Sequence, residues 1–416
     1  MKQLFFLFLI LLMCMVRWIH PSLAFAEELT EDKIMALEET TLIRSEESMT
    51  GYYVSFRYKD PTATRVQIRG EWSFSDARHS SVQTSANIMP DDYKEGMFPL
   101  QLDADGEWPV TDMVFDAQTG VWHYTIPLPC GIWSYRFIVF HGEEVTVTSD
   151  PNNRPVEREL GQQTNSQIYV PFDAERQLAD WSIQFPIVGG EAGTLETLCY
   201  DASNLSYDLL DDPIVAVYLP YGYDAKRKEP YKVLYTLHGA GIESETSWWN
   251  KGGIGNITDH LVRDHCVEPY VIVMPNNYVD SFDYANLLMN IIPMIEKTYN
   301  VRTDADGKAV CGISKGAICA KNVLLNSPEE YGYYGFFSGC YFSESTEEFD
   351  GERIQQSRIY LGAGEREDGL IAVYRTTEKL ANAGKKDFQV HTVMGGHNWY
   401  TWRQIYVDFV LNFLWK

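Results

Sequence analysis

Two hydrophobic patterns divide the chain. In the first half, apolar and polar positions alternate in runs such as YYVSFRYK, TRVQIRGEW, GVWHYTIPL and WSYRFIVFHGEE, and each run is bounded by Gly, Pro or Asp. Alternation with a period of two, interrupted by turn residues, is typical of antiparallel strands that bury one face. The pattern predicts an all-β sandwich over residues 51–175.

The pattern changes at about residue 181. Continuous apolar runs (IVAVYLP, KVLYTLHG, YVIVMPN, KAVCGIS) now alternate with helical runs such as KGAICAKNVLLN and WRQIYVDFVLNFLW. Strands that are apolar on both faces and separated by helices indicate a mostly parallel sheet covered on both sides. Residues 181–416 are therefore predicted to form an α/β domain.

The N-terminus carries the pattern of an export signal. Lys2 precedes the apolar run LFFLFLILLMCMV, and Ala24-Phe25-Ala26 offers a cleavage site. We expect residues 1–26 to be a signal peptide and the protein to be secreted. Residues 27–50 are acidic and predict a solvated linker. Past the N-terminus no apolar run reaches 18 residues, so no membrane span is expected there.

Charge narrows the possible partners. The chain has 34 Lys and Arg against 58 Asp and Glu, a formal net charge of -24. Such a charge repels nucleic acid and anionic membranes, whereas a neutral polysaccharide is compatible with it. The cysteines are scattered, with no CxxC pair and no ligand spacing for zinc, so they predict no metal site and no particular disulfide.

A candidate nucleophile lies between two glycines in Gly312-Ile313-Ser314-Lys315-Gly316. A short apolar strand precedes Ser314 and a helix follows, which is the layout of a nucleophile elbow. A serine hydroxyl needs a general base, and His397 in the Gly-rich loop after a late strand is the best candidate. His391 is the rival, but it lies inside that strand.

The acid that orients the histidine should fall between the serine and the histidine, because this fold orders its triad Ser, acid, His. The stretch YLGAGEREDGL offers Glu365, Glu367 and Asp368 after a strand. We favour Asp368 as the triad acid and keep Glu367 as the alternative.

Oxyanion donors are expected after the strand KVLYT, where LHGAG can turn backbone amides inward. The amide of Ala240 or Gly241 and that of Lys315 are the predicted pair. His238 suits a role in holding this loop. These features in this order predict acyl transfer, most simply ester hydrolysis through a serine acyl-enzyme, without a metal or organic cofactor.

The catalytic half resembles carbohydrate esterase family one, which includes feruloyl esterases and acetyl xylan esterases. The likeness covers about Ile214 to Lys416 and rests on VYLPYGYD, YTLHGAG, VIVMPNN, GISKGA and GGHNWYTWR. It implies an α/β-hydrolase fold and feruloylated or acetylated xylan as the partner. Lys315 and Ala317 depart from the Met and Gly common in the family. One of three aromatic residues is expected to line the acyl pocket and the others to pack: Trp399, Tyr400 and Trp402.

The first half, from about Gly51 to Phe172, resembles the immunoglobulin-like module found before such esterases, which is related to carbohydrate-binding module family 48. The likeness implies that Trp72, Trp122 or Trp133 stacks on sugars, although tryptophans on alternating strands more often belong to a core. Alternatives to a xylan esterase are an esterase for another substrate such as a siderophore lactone, an acyltransferase, and a catalytically silent carbohydrate-binding protein.

Overall fold

The structure is a computed structural model that describes residues 37–76, 88–100, 108–153, 165–205, 213–241, 243–276, 284–339 and 351–416. The described residues form two compact units, of which the first ends at Val188 and the second runs from Gly189 to Lys416. The predicted signal peptide lies outside the described residues.

The first unit is built from antiparallel strands. One sheet has the order β1-β2-β8-β7 and another the order β10-β9-β3-β6, with β11 also paired to β9 and β4 paired to β5. The strands are β1 (Thr41–Arg44), β2 (Tyr52–Lys59), β3 (Arg65–Gly70), β4 (Phe74–Ser75), β5 (Phe98–Pro99), β6 (Val110–Asp112), β7 (Val114–Asp116), β8 (Val121–Pro127), β9 (Gly131–His141), β10 (Glu144–Thr148) and β11 (Ser166–Val170).

The two larger sheets of this unit share one core, as alternating strands require. Val54 and Phe56 of β2 belong to the same buried cluster as Ile68 of β3 and Phe137 of β9. Three tryptophans lie in that cluster: Trp72, Trp122 and Trp133. Because their rings are buried, the structure contradicts the hypothesis that one of them stacks on a sugar. The two sheets form a sandwich, and its immunoglobulin-like character stays a prediction.

The expected linker over residues 27–50 is wrong in its described part. Residues Thr41–Arg44 form β1 and pair with β2 from Thr41↔Ser55 to Arg44↔Tyr52. Leu42 is buried in the shared core and Ile43 is buried as well. The acidic composition of the segment outweighed its short apolar pair, Leu42 and Ile43, in the sequence pattern. This pair belongs to an edge strand of the sheet.

The second unit contains an eight-stranded sheet with the order β12-β13-β15-β14-β16-β17-β18-β19. Its strands are β12 (Thr194–Cys199), β13 (Ile214–Leu219), β14 (Lys232–Leu237), β15 (Tyr270–Pro275), β16 (Lys308–Ile313), β17 (Tyr333–Phe337), β18 (Arg358–Gly364) and β19 (Phe388–Val393). β12 and β13 pair antiparallel to their neighbours, and the six strands from β15 to β19 in this order pair parallel. This arrangement is of the α/β-hydrolase type, as predicted.

Helices cover both faces of the sheet. They are α1 (Ser247–Asn250), α2 (Ile254–Arg263), α3 (Tyr284–Asn286), α4 (Ile292–Thr298), α5 (Lys315–Asn326), α6 (Glu352–Gln356), α7 (Gly369–Asn382) and α8 (Trp399–Asn412), with a π-helical stretch over Leu287–Ile291. α4, α5 and α7 pack on one face with the core residues Val310 and Leu361. α8 packs on the other face, where Phe409 contacts Phe337 and Tyr360. β13, β15, β16 and β17 are accordingly buried along their whole length.

Candidate active site

The predicted nucleophile lies at the carboxyl end of the sheet's central strand. Ser314 follows β16 directly and precedes α5, and its backbone has φ 50° and ψ -116°, a conformation that non-glycine residues rarely adopt. Its N–H donates to the Phe337 carbonyl at 2.9 Å, which fixes the turn. Strain of this kind is concentrated at functional sites, where the surrounding structure holds it.

The two glycines of the motif are required by close packing. A Cβ at Gly312 would overlap the backbone of Gly316, the second residue of α5, and a Cβ at Gly316 would overlap the carbonyl of Leu237 at the end of β14. Strand, helix and neighbouring strand therefore approach more closely than any side chain allows. The elbow that the sequence predicts is present in its backbone geometry.

The predicted oxyanion loop lies beside the serine. A Cβ at Gly239 would lie 3.6 Å from the Ser314 Cβ, in ordinary contact. Ala240 and Gly241 follow and are exposed, and Gly241 has φ 92°. Lys315 is the first residue of α5, so its amide belongs to the helix N-terminus, where developing negative charge is favoured.

The predicted base, His397, contacts a carboxylate, which belongs to Glu367 and not to Asp368. His397 lies in the loop between β19 and α8, and its Nδ1 is 2.6 Å from Glu367 Oε2. The side chain of Glu367 is 1 % exposed and that of His397 is 31 % exposed. A buried carboxylate can only accept, so in the neutral imidazole Nδ1 carries the hydrogen and Nε2 keeps its lone pair.

Two further donors hold Glu367 in place. Its Oε1 accepts from the Ser338 hydroxyl at 2.6 Å and from the Gly364 N–H. Ser338 follows β17 with φ 55°, and its own N–H donates to the Gly362 carbonyl at 2.8 Å. The carboxylate is thus fixed by the ends of two neighbouring strands, β17 and β18.

The structure corrects the favoured acid. Asp368 lies at the N-cap of α7, is exposed, and makes no capping hydrogen bond with its side chain. Glu365 accepts from the Thr392 hydroxyl at 3.3 Å. Of the three carboxylates offered by this loop, Glu367 alone is hydrogen-bonded to His397, because the chain turns into α7 at Asp368 and leaves that side chain exposed.

Two of the three aromatic candidates pack in the interior. Trp399 and Trp402 are buried, with ring centroids 5.2 Å apart and perpendicular planes, and Trp402 lies edge-on to the His397 ring at 5.0 Å. Tyr400 is half-buried. Trp399 and Trp402 thus take the packing role expected for two of the three, and Trp402 supports the histidine. Binding of the acyl group stays a prediction, with Tyr400 the remaining candidate.

The two other histidines considered above, His238 and His391, have surroundings that differ from those of His397. His238 is buried, and its Nδ1 donates to the Gly239 carbonyl at 2.8 Å. Burial lowers the pKa of His238, and the nearby Glu243 opposes this in part. His391 lies on β19 with its Nδ1 3.6 Å from Asp408 Oδ2.

Sequence reasoning missed two polar residues next to this site. Ser338, in GFFSG, directly follows a buried strand at the same sheet edge, and this position was the available signal. Glu243 lies two residues after Gly241, and nothing in the sequence pattern singled it out. Among the described residues no group of three or more His, Cys, Asp or Glu could hold a metal ion, and no described helix has the length and apolarity needed to span a membrane.

Comparison with known proteins shows what the second unit is similar to. Residues 206–411 match the family described as "Putative esterase". The chain is 32 % identical over 204 residues to an endo-1,4-beta-xylanase/feruloyl esterase of Xylanibacter ruminicola, covering 45 % of this chain and 27 % of that protein. It is 29 % identical over 170 residues to endo-1,4-beta-xylanase Y of Acetivibrio thermocellus, covering 38 % and 16 %. The chain thus spans about a quarter or less of these relatives.

Solved structures share the fold. The family-one ferulic acid esterase of Anaeromyces mucronatus matches 56 % of this chain and 95 % of its own with a TM-score of 0.50 and 21 % identity. The enterobactin esterase of Shigella flexneri matches 93 % of this chain and 98 % of its own with a TM-score of 0.57 and 17 % identity. The second match extends over both units of this chain.

Proposed function

We propose that this chain is a serine carboxylic ester hydrolase that acts on ester-substituted plant cell-wall polysaccharide, with feruloylated xylan as the first substrate to test. The observation that carries the chemistry is the 2.6 Å contact between His397 and the buried Glu367, at the sheet edge where Ser314 is held in its strained turn. The substrate class is supported by the relative named as a xylanase and feruloyl esterase.

In the proposed first step, the Ser314 hydroxyl attacks the ester carbonyl while His397 Nε2 takes its proton. Glu367 keeps the imidazole in the required tautomer and stabilises the imidazolium that forms. The backbone amides of Lys315 and of Ala240 or Gly241 would donate to the carbonyl oxygen as it becomes an oxyanion. His397 then returns the proton to the leaving alcohol of the polysaccharide.

In the proposed second step, water replaces the alcohol. His397 removes a proton from this water, the water attacks the acyl-enzyme, and the free acid leaves as Ser314 regains its proton. Every proton passes through one imidazole. The reaction therefore depends on a fixed orientation of the His397 ring, with Nδ1 toward Glu367 and Nε2 toward Ser314. The His397–Glu367 hydrogen bond and the packing of Trp402 supply that restraint.

Two other substrates follow from the same site. Acetyl esters of xylan require the same chemistry with a smaller acyl group. A siderophore lactone is the second, and the shared two-unit fold of an enterobactin esterase is the reason to include it in the assay. The net charge of -24 disfavours an anionic siderophore and is compatible with a neutral polysaccharide.

The test compares wild type with Ser314→Ala on p-nitrophenyl acetate, methyl ferulate, acetylated xylan and a catechol trilactone. We expect Ser314-dependent turnover of the small esters, and ferulate release to be the fastest of the natural-type reactions. Turnover of none would leave the carbohydrate-binding alternative and overturn the esterase proposal. Faster release of acetate from xylan than of ferulate would change the substrate and keep the mechanism.

Export completes the proposal. The apolar run after Lys2 and the small residues before Glu27 support cleavage after Ala26. Mass spectrometry of protein recovered outside the producing cell should find an N-terminus at Glu27. Recovery of the full-length chain only inside the cell would contradict export.

A further inference from the structure

Resting on the proposed esterase function, we infer that Glu243 is a positioning residue that ties the oxyanion loop to the first turn of the helix behind His397. Glu243 lies two residues after Gly241, and its side chain is 13 % exposed. Within the described part of the chain it forms no hydrogen bond with Ser314 or His397. It connects the two segments that carry the predicted oxyanion donors and the base.

The carboxylate of Glu243 joins three parts of the chain. Its Oε1 accepts from Lys251 Nζ at 3.3 Å and from Trp399 Nε1 at 3.4 Å. Lys251 follows α1, and its side chain is 12 % exposed. Trp399 begins α8, two residues after His397. A partly buried ion pair with an additional hydrogen bond restrains geometry more strongly than an exposed pair.

The Lys251 side of this junction is itself fixed. The Lys251 carbonyl accepts from Arg403 Nη1 of α8 at 2.6 Å. A Cβ at the following residue, Gly252, would lie 2.9 Å from the Trp399 ring and would overlap the Trp248 carbonyl. Lys251 is therefore held against the start of α8 by its backbone, and its ammonium group holds Glu243 there in turn.

The segment after Glu243 is also restrained. Ser244 is buried, and its N–H donates to the Ser247 hydroxyl at 2.8 Å, which leads the chain directly into α1. The exposed residues Ala240 and Gly241 lie between the buried strand end at Leu237 and this turn. Loss of the Glu243 contacts would therefore let Ala240 and Gly241 move relative to His397. A misplacement of about 1 Å at such a site can cost about 100-fold in rate.

One oxygen of Glu243 has no hydrogen-bond partner among the described residues. Oε2 is buried and accepts no hydrogen bond within the described part of the chain. An oxygen of this kind is satisfied by an ordered water or by a donor that arrives with the bound substrate. Replacing the carboxylate by an amide changes its charge and its donor pattern with little change in size.

The experiment uses the full chain with Glu243→Gln, Lys251→Met and the double variant, with p-nitrophenyl acetate as the substrate. We expect each single variant to lose about 10- to 100-fold in kcat, with KM changed less than about threefold, because the oxyanion donors act in the transition state. The kcat of the double variant should be no lower than that of the less active single variant, since both changes break the same contact. The inhibition constant of phenylboronic acid, which forms a tetrahedral adduct on the serine, should rise in parallel with the loss in kcat/KM.

A matched control and Ser314→Ala separate the possible failures. Glu268 forms an ion pair with Lys232 at the same 3.3 Å distance, but near the start of β14, at the opposite end of the strand from the site. Glu268→Gln should leave kcat within twofold. Normal kcat in Glu243→Gln, or a loss explained by a lower Tm with unchanged boronate binding, would overturn the inference alone. Absence of any Ser314-dependent turnover in wild type would remove the proposed function, and the inference with it.

Discussion

The identity of the triad acid gives the sharpest prediction of the structure. Replacing Glu367 by Gln keeps the volume of the side chain and removes its charge. In the native protein Oε1 accepts from Ser338 and from the Gly364 N–H, while Oε2 accepts from His397 Nδ1. All three neighbours thus donate to a group that, as an amide, retains only one acceptor oxygen.

The amide has one acceptable orientation. Its NH₂ group cannot face the Gly364 N–H, since two donors would then oppose each other in a buried place. The carbonyl therefore faces Ser338 and Gly364, and the NH₂ group faces His397. Nδ1 must then accept, which moves the imidazole hydrogen to Nε2 and removes the lone pair that Ser314 needs.

A wrong tautomer with intact geometry lowers kcat by about 10⁴-fold in a serine triad, so we expect a loss of about 10³- to 10⁴-fold, or about 4 to 5.5 kcal/mol in activation free energy. Ser338→Ala removes one neutral donor from the same carboxylate and should cost about tenfold or less. Asp368→Asn alters an exposed side chain and should stay within twofold. Steady-state hydrolysis of p-nitrophenyl acetate measures all three, with Tm as the check on folding.

Two results would refute this reasoning. A folded Glu367→Gln variant that keeps more than a tenth of wild-type kcat would mean that the carboxylate does not set the tautomer. An equal, large loss in Asp368→Asn would mean that the loop adopts another register around the histidine than the 2.6 Å contact shows.

Three further predictions concern the elbow and its neighbours. Gly312→Ala should destabilise the fold by about 2 kcal/mol or more, because its Cβ overlaps the Gly316 backbone, whereas Gly239→Ala meets only ordinary contacts; thermal unfolding compares them. Lys315→Pro removes a proposed oxyanion donor, the backbone N–H, at the first position of a helix, where proline is accepted; kcat should fall about 100- to 1000-fold. Lys315→Met keeps the backbone N–H, and its kcat should stay within a few fold of wild type. Burial lowers the pKa of His238, so below about pH 6.5 the unfolded state binds more protons than the folded state. The free energy of unfolding should therefore fall, by up to about 1.36 kcal/mol per unit decrease in pH. His238→Gln should reduce this pH dependence, as measured by urea titrations at several pH values.

Much of the second unit could be predicted from the sequence because its signals are local. Continuous apolar strands can only be buried on both faces, and Gly312, Ser314 and Gly316 have the spacing that a strand-to-helix elbow requires. The loops that carry the site follow strand ends, so their order along the chain also predicts which sheet edge they share. Parallel pairing then places residues that are distant in sequence side by side, as at Leu237↔Gly312.

The sequence contains a signal for which of the aromatic residues after His397 pack in the core. Buried residues of α8 recur at Trp399, Trp402, Tyr406 and Phe409, a spacing of three to four that marks one face of a helix. That face packs on the sheet, through Phe337 among others. Proximity to the histidine in sequence suggested a pocket, whereas helical periodicity predicts a core, and the core prevails because burying large rings is strongly favourable.

The choice between Glu367 and Asp368 could not be made from the sequence, because it depends on the path of a loop over a single residue. Glu365 and Arg366 continue backbone pairing with Val393 and Gly395, so the chain stays beside the histidine loop past the end of β18. It then turns into α7, and the last residue before that helix points outward. A side chain one position earlier still faces the histidine, and the longer glutamate reaches both it and the strand end. The length of the side chain and the residue at which α7 begins therefore determine together which acid reaches His397. A family pattern of glycine followed by an acid specifies neither of them.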